Sequence, residues 1–220
     1  GGFPAVPPAQ ATGSLQTLVR PPTCITCENE VMDEVVAGDL APLSVGAAAF
    51  IAGLAACWDE ACEGLARAHG RPGLHAIAVA LPLAMARGSS LGAALRALID
   101  GYEVGGRLGE ALRIRPGMHV DGTWGTFAAV TAAARLFGMT ATDTFAALQG
   151  AACQLPCSLY LPVAAGAAVR NAYVGEAARR GIVHALAADA GVSAPAASIE
   201  EFDRLALGGG ERAVLHEARV

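Results

Sequence analysis

The chain has 220 residues, a length that fits one domain or two small ones. Its fifteen basic and twenty acidic residues give a net charge of −5, which argues against nucleic acid and anionic membranes as partners because both require clustered positive charge. Hydrophobic residues make up 54% of the chain, which excludes overall disorder, and no apolar run reaches the roughly 18 residues that a membrane span requires. With no signal peptide recognised, we expect a soluble, cytoplasmic protein. Its true N-terminus stays open, because the chain begins with glycine rather than methionine.

In chain order, residues 1–43 form a Pro- and Gly-rich segment in which dense prolines oppose helix continuation and favour extended backbone. This composition predicts an N-terminal arm that docks on a partner or stays mobile, with one short helical turn near 28–36. The pattern of residues 44–207 predicts a helical domain. The run Gly208–Gly210 then begins a polar C-terminal tail, 208–220.

Capping residues and apolar spacing predict the helices of the central domain. The expected ranges are 44–56, 74–87, 91–112, 123–137, 143–152 and 176–188, followed by a short helix that begins at Ser198. The expected caps are Ser44, Ser89 or Ser90, Thr140 or Thr142, and a capping box of Ser198 with Glu201. Aromatic residues are only 5%, so the core must consist of Ala, Leu, Val and Gly, which let helices approach closely. No alternating strand pattern occurs, and the predicted fold class is an all-α helical bundle.

Two residue types limit the chemistry. The chain has no lysine, which excludes mechanisms that need a Schiff base or a neutral amine base. The six cysteines fall in three close pairs: Cys24 and Cys27, Cys57 and Cys62, and Cys153 and Cys157. A zinc site would need two pairs to converge, which the spacing does not indicate, so we expect free or half-buried thiols and no metal.

The segment 118–125, Met-His-Val-Asp-Gly-Thr-Trp-Gly, carries the most chemical information. His119 precedes a predicted helix start where small residues leave backbone N–H groups open, which suits a carboxylate ligand. The positive end of the helix lowers the pKa of a nearby histidine, so His119 could serve as a general base near pH 7. The alternative is that Asp121 caps the helix and His119 packs against it.

The segments GYEVGGRLGEAL (101–112) and HVDGTWGTFAAVTAAARLFGM (119–139) resemble the MmgE/PrpD family, which includes 2-methylcitrate dehydratase, cis-aconitate decarboxylase and iminodisuccinate epimerase. The family pattern His-Pro-Thr-Gly-Thr-x-Gly falls on residues 119–125. The segments AAAFIAGLAAC (47–57) and NAYVGEAARRGIVHALAADAG (171–191) resemble further parts of the family in the same order. The resemblance covers about residues 44–207.

The resemblance implies an all-helical domain, usually a homodimer, that acts without a cofactor on small di- or tricarboxylates. The shared chemistry is proton removal beside a carboxylate, followed by elimination, decarboxylation or reprotonation. By this resemblance His119 is the carried-over base or acid, and Thr123 of the same motif contributes to substrate binding. Arg71, Arg107 or Arg170 would hold the substrate anion. Family members are considerably longer and carry an α/β lid domain, so we expect this chain to correspond to the helical domain with the lid absent.

Several positions depart from the family pattern. The family's lysine falls on Arg170 and one of its histidines on Tyr173, and arginine cannot give up its proton. Its His-Pro in the site loop falls on Arg71-Pro72, which leaves His69 and His75 as displaced candidates. Its aspartate-rich stretch is represented by Asp59, Glu60 and Glu63 in an open register, either as acid/base carboxylates or as a solvated surface.

These observations support two hypotheses. The first is an acid/base enzyme of the lyase, isomerase or cyclase type that acts on a small carboxylate- or carbonyl-bearing molecule. In it His119 moves the proton, Tyr173 or an acid near Asp59 is the second group, and His75 is a further catalytic candidate. The alternative is a non-catalytic or half-site subunit that completes an active site with a partner chain.

Overall fold

The structure, a computed structural model, describes residues 44–207; the predicted arm with its helical turn and the predicted tail lie outside this range. The described range contains eight α-helices and no β-strand, which confirms the all-α class. The helices are α1 (Val45–Cys57), α2 (Pro72–Ala86), α3 (Leu91–Ala111), α4 (Gly125–Phe137), α5 (Ala141–Ala152), α6 (Leu161–Ala164), α7 (Ala172–Asp189) and α8 (Ser198–Ala206). Two short 3₁₀ helices occupy Ala66–Ala68 and Ala168–Asn171.

Local capping signals fix the starts of three of the eight α-helices. The side chains of Ser44, Ser90 and Thr140 each accept a hydrogen bond from the backbone N–H three residues later, as expected of N-caps. The predicted capping box at Ser198 is wrong, because Ser198 lies inside the first turn of α8 and its hydroxyl donates to the carbonyl of Pro195. The N-cap position of α8 belongs to Ala197, whose side chain cannot cap.

Helix α4 lies at the centre of the bundle and packs against α2, α3, α5 and α7. Apart from Arg135 and Phe137 at its C-terminal end, its residues are buried. A Cβ atom added at Gly105 of α3 would lie 2.6 Å from the Cβ of Ala128, and one at Gly101 would lie 2.7 Å from the Ala128 carbonyl oxygen. The small residues therefore let these two backbones approach closely, as the composition predicts.

The large apolar residues in the first half of α3 do not form a stripe that faces the core. The buried face of α3 consists mainly of small residues such as Ala97 and the helix glycines, whereas Leu91, Leu95 and Ile99 are exposed. Ile99 and Ile77 of α2 line a surface groove of about 750 Å³. None of the helices within 44–207 is long and apolar enough to cross a membrane.

Candidate active site

Three connecting segments meet at one end of the bundle: residues 58–71 after α1, 112–124 after α3, and 153–171 after α5. The backbone N–H of His119 donates to the carbonyl of Ser158, and that of Tyr160 donates to the carbonyl of Gly117. The first segment joins them through the ion pair of Arg71 with Asp121. Each segment contributes charged or titratable side chains to a shared cluster.

Arg71 is the centre of this cluster. One guanidinium nitrogen, Nη1, donates to Glu60 at 3.0 Å and to the sulfur of Cys62 at 3.1 Å. The other, Nη2, donates to Asp121 and to the sulfur of Cys57 at 3.5 Å. Burial acts against the charged form, since the side chain is only 13% exposed. The Asp121 carboxylate and the neighbouring Cys57 and Cys62 together more than offset burial and raise the pKa of Arg71 above its ordinary value. Arg71 is therefore permanently cationic at this position.

Asp121 is fully buried and does not cap α4, so the capping alternative of the sequence analysis is wrong for this residue. Its Oδ2 accepts from Arg71 and lies 3.8 Å from Nδ1 of His119, while its Oδ1 has no hydrogen-bond partner in the described range. Arg71 and Asp121 stand where the family pattern has histidine and threonine. The two residues that depart from the family pattern contact each other as an ion pair.

Glu60 is the acidic residue that joins the two arginines. Its Oε2 accepts from Arg71 and its Oε1 accepts from Arg170, which lies in the 3₁₀ helix before α7. The sequence analysis left the register of the acids open and named Asp59 as the representative. The structure places Asp59 in solvent, and Glu63 instead accepts from the backbone N–H groups of Gly73 and Leu74 at the start of α2.

His119 is held in one orientation. Its ring stacks on Tyr160 at 5.9 Å between centroids and lies 6.1 Å from Tyr173, and its side chain is 12% exposed. Burial lowers its pKa, although the neighbouring Asp121 opposes the shift, so the imidazole is neutral near pH 7. Nδ1 accepts a hydrogen bond from the Asp121 backbone N–H at 3.1 Å, which places the single proton of the neutral ring on Nε2.

Several backbone N–H groups near the start of α4 already have acceptors, whereas the sequence analysis expects open ones there. Asp121 donates to His119, Gly122 donates to His75, and Thr123 and Thr126 donate to carbonyls of their own turns. The cationic groups available to an anion at this site are Arg71 and Arg170.

His75 is a buried structural residue of α2. Its Nδ1–H donates to the Arg71 carbonyl at 2.8 Å and its Nε2 accepts from the Gly122 N–H at 3.3 Å. Burial lowers its pKa and favours the neutral ring that this pattern requires. With both nitrogens engaged, the ring has none left for proton transfer to a substrate, so the geometry fits a positioning residue for the 119–123 loop and not the catalytic candidate of the sequence analysis.

Of the remaining predicted site residues, Tyr173 lies in the cluster, whereas Thr123 and Arg107 are not available to a substrate there. The phenol of Tyr173 lies beside His119, and its hydroxyl donates to the Leu159 carbonyl at 3.2 Å. Thr123 is buried, and its hydroxyl donates to the His119 carbonyl, which leaves it no access to a substrate. Arg107 lies on α3, where it pairs with Glu103 and lines the 750 Å³ groove. It does not belong to the cluster around His119.

Sequence reasoning missed Tyr160, which supports one face of His119. Nothing in its local pattern identifies it, because the stacking depends on the bridge between Met118 and Leu159 that aligns the two loops. The four described cysteines form no disulfide with one another, and the residues in 44–207 form no group of three or more side chains suited to a metal ion.

The fold and the cluster together define an all-α domain with an arginine- and histidine-bearing site built from three loops. The chain matches the model of the MmgE/PrpD N-terminal domain over residues 31–208, and it belongs to this family. The match begins inside the segment that the sequence analysis assigns to the arm. A search of curated proteins found no match to the chain. The family includes lyases of the dehydratase type, so the chain is a relative of dehydratase-like enzymes.

Proposed function

We propose that the protein is an acid/base enzyme, of the lyase or isomerase type and independent of a cofactor, that acts on a small molecule bearing a carboxylate. Arg71 and Arg170 hold the carboxylate, and a proton is removed from the carbon beside a carboxylate or carbonyl group. His119 stabilises the negative charge that then develops on oxygen. The alternatives after proton removal are elimination, decarboxylation and reprotonation.

One observation carries this proposal: two arginines from separate segments converge on one carboxylate, that of Glu60, beside a half-buried neutral histidine. Guanidinium groups recognise carboxylates through charge-assisted hydrogen bonds, and two of them around one carboxylate make a specific anion site. The same cluster contains Asp121, which contacts both Arg71 and His119. Asp121 thereby connects the anion site with His119.

The hydrogen bonding of His119 favours one chemical role. Since Nδ1 accepts from the Asp121 N–H, the neutral ring presents Nε2–H and acts as a hydrogen-bond donor to an oxygen. A general base at Nε2 would require the other tautomer. In this proposal His119 holds the developing oxyanion, and Tyr173, beside it, is the group that accepts the proton from carbon.

The test is proton exchange at carbon, which does not require the final product to be known. The protein is incubated in D₂O with 2-hydroxy di- and tricarboxylates such as malate and citrate, and ¹H NMR follows deuterium incorporation beside the carboxylate. We expect exchange with at least one compound of this class. Tyr173→Phe should lose it, whereas His184→Ala on α7, outside the cluster, should keep it.

Two substitutions separate a donor from a base at His119. His119→Gln keeps an N–H donor near the Nε2 position and should retain part of the exchange rate. His119→Asn keeps an acceptor near Nδ1 but removes that donor, and should lose roughly 10²–10³ in rate, the usual effect of deleting one such donor. Wild-type exchange in His119→Asn, or none in the wild type with any compound, would contradict the proposal.

A second candidate function is a non-catalytic or half-site subunit whose active site is completed by a different partner chain. Its support is a group of exposed apolar residues beside the cluster: Leu159, Tyr160, Leu161 and Val169. Exposed apolar residues that border a polar site are typical of a surface covered in an assembly.

Light scattering on a size-exclusion column distinguishes the candidates. A homodimer with exchange activity supports the enzyme. An inactive chain that gains activity only when a purified partner is added supports the subunit.

A further inference from the structure

Glu60 occupies the place that a substrate carboxylate would need. Its two oxygens accept separately, Oε2 from Arg71 at 3.0 Å and Oε1 from Arg170. The thiol of Cys57 also donates to Oε1, at 3.6 Å. A carboxylate that bridges two guanidinium groups in this way uses the donors with which those groups would hold a ligand.

The charges of the cluster already balance. Arg71 and Arg170 supply two positive charges, and Glu60 and Asp121 supply two negative ones. An incoming carboxylate would therefore add an unpaired negative charge unless one resident carboxylate leaves. In a partly buried site such an excess charge is costly, so ligand binding requires displacement.

Only one of the two resident carboxylates can leave at low cost. Asp121 is fully buried, and its departure would place a charge in an apolar interior, whereas the Glu60 side chain is 51% exposed and can rotate into water. Glu60 also has a left-handed backbone conformation, with φ of 58°, which is uncommon for residues other than glycine. Strained residues of this kind concentrate where a protein stores a functional alternative.

We propose that Glu60 is a built-in competitor, an intramolecular carboxylate that occupies the Arg71–Arg170 site until a di- or tricarboxylate displaces it. This inference rests on the proposed function, because it assumes that the arginine pair binds substrate. A tethered group competes at an effective concentration in the millimolar range. A simple monocarboxylate gains nothing over Glu60 and binds poorly, whereas a ligand whose further polar groups contact His119 or Tyr173 overcomes the competition. Glu60 thus selects for ligands with more than one anionic group.

Isothermal titration calorimetry of the full chain with malate, citrate and acetate tests this inference. Glu60→Gln removes the negative charge and keeps the size of the side chain, so we expect it to lower the Kd for malate or citrate by about threefold to tenfold, the effect of one partly exposed ion pair. Acetate should bind Glu60→Gln measurably and the wild type barely. Glu201→Gln, which breaks an exposed ion pair with Arg204 on α8, is the matched control and should leave the Kd unchanged.

The outcomes separate this inference from the proposed function. If the wild type binds malate or citrate and Glu60→Gln binds them equally or more weakly, Glu60 is not a competitor, although the carboxylate site stands. If neither protein binds any compound of the panel, both ideas fail. If Arg170→Gln keeps wild-type affinity, the arginine pair is not the site.

Chemical modification of Arg170 tests, without any ligand, whether Glu60 occupies its guanidinium group. Phenylglyoxal modifies accessible arginines, and mass spectrometry measures the rate at Arg170. We expect this rate to rise severalfold in Glu60→Gln because the guanidinium loses its carboxylate partner, with Arg204 as the internal reference. An unchanged rate at Arg170 would show that Glu60 does not occupy this group in solution.

Discussion

Gly125, the first residue of α4, lies directly against the ring of His75. A Cβ atom added there would lie 2.5 Å from Cε1 of that ring and closer still to Cδ2 and Nε2. The ring cannot easily move, because it is fully buried and is hydrogen-bonded to Arg71 on one side and Gly122 on the other. The substitution Gly125→Ala therefore tests whether the packing around His75 is as tight as the structure indicates.

We expect Gly125→Ala to destabilise the protein by about 3 kcal/mol, from overpacking of the core and loss of one hydrogen bond of His75. For a domain of this size that corresponds to a fall of roughly 6–12 °C in Tm. The matched control is Gly150→Ala inside α5, where the nearest atom to the added Cβ is that of Ala194 at 4.0 Å. Because alanine favours helix more than glycine does, this control should stabilise by about 0.5–1 kcal/mol.

The assay is urea unfolding followed by circular dichroism, with the midpoint and the slope fitted separately. The two alanines should shift the midpoint in opposite directions at the same slope. A stability of Gly125→Ala within about 0.5 kcal/mol of the wild type would refute the argument, because it would mean that His75 can give way.

Three further predictions concern the cluster. Asp121→Asn should lower the free energy of unfolding by about 2 kcal/mol, measured by urea unfolding. This loss is smaller than for a fully buried ion pair because Arg71 still pairs with Glu60. An unchanged free energy of unfolding would show that the Arg71–Asp121 pair contributes nothing to stability. Burial lowers the pKa of His119 in the folded state, so between the ordinary value near 6.5 and the lowered one the unfolded chain binds more protons. Stability is complete above this window and falls as the pH drops through it, and His119→Gln should show a shallower fall than the wild type. Burial also raises the pKa of the Cys57 thiol, although Arg71 opposes the shift. Maleimide labelling, mapped by mass spectrometry, should therefore be much slower at Cys57 than at exposed Cys153. Equal labelling rates would contradict the buried environment of Cys57.

Much of the fold was predictable because its signals are local. Ser44, Ser90 and Thr140 cap their own helices, and each cap depends on atoms only three residues away. The error at Ser198 has a tertiary cause. Its side chain lies beside Cys153 and donates to Pro195, so contacts outside α8 decide where the helix begins.

The candidate site was predictable only in part. The motif analysis placed His119, Arg71 and Arg170 in a site region, and the structure brings them into one cluster with Glu60 and Asp121. Sequence reasoning could not choose among Asp59, Glu60 and Glu63, because three acids in a short loop have similar patterns and differ only in the direction of their side chains.

The sequence by itself determined the all-α class, the core of small residues and the three capped helix starts, since all of these follow from composition and from interactions within a few residues. Tertiary structure alone decided the chemistry of the cluster. Arg71 and Asp121 are 50 residues apart, and Arg170 and Glu60 are 110 apart. Such pairs form only after the bundle brings its loops together, and no periodicity in the chain records them. The proton position on His119 has the same origin, because it depends on a loop that the distant His75 holds in place.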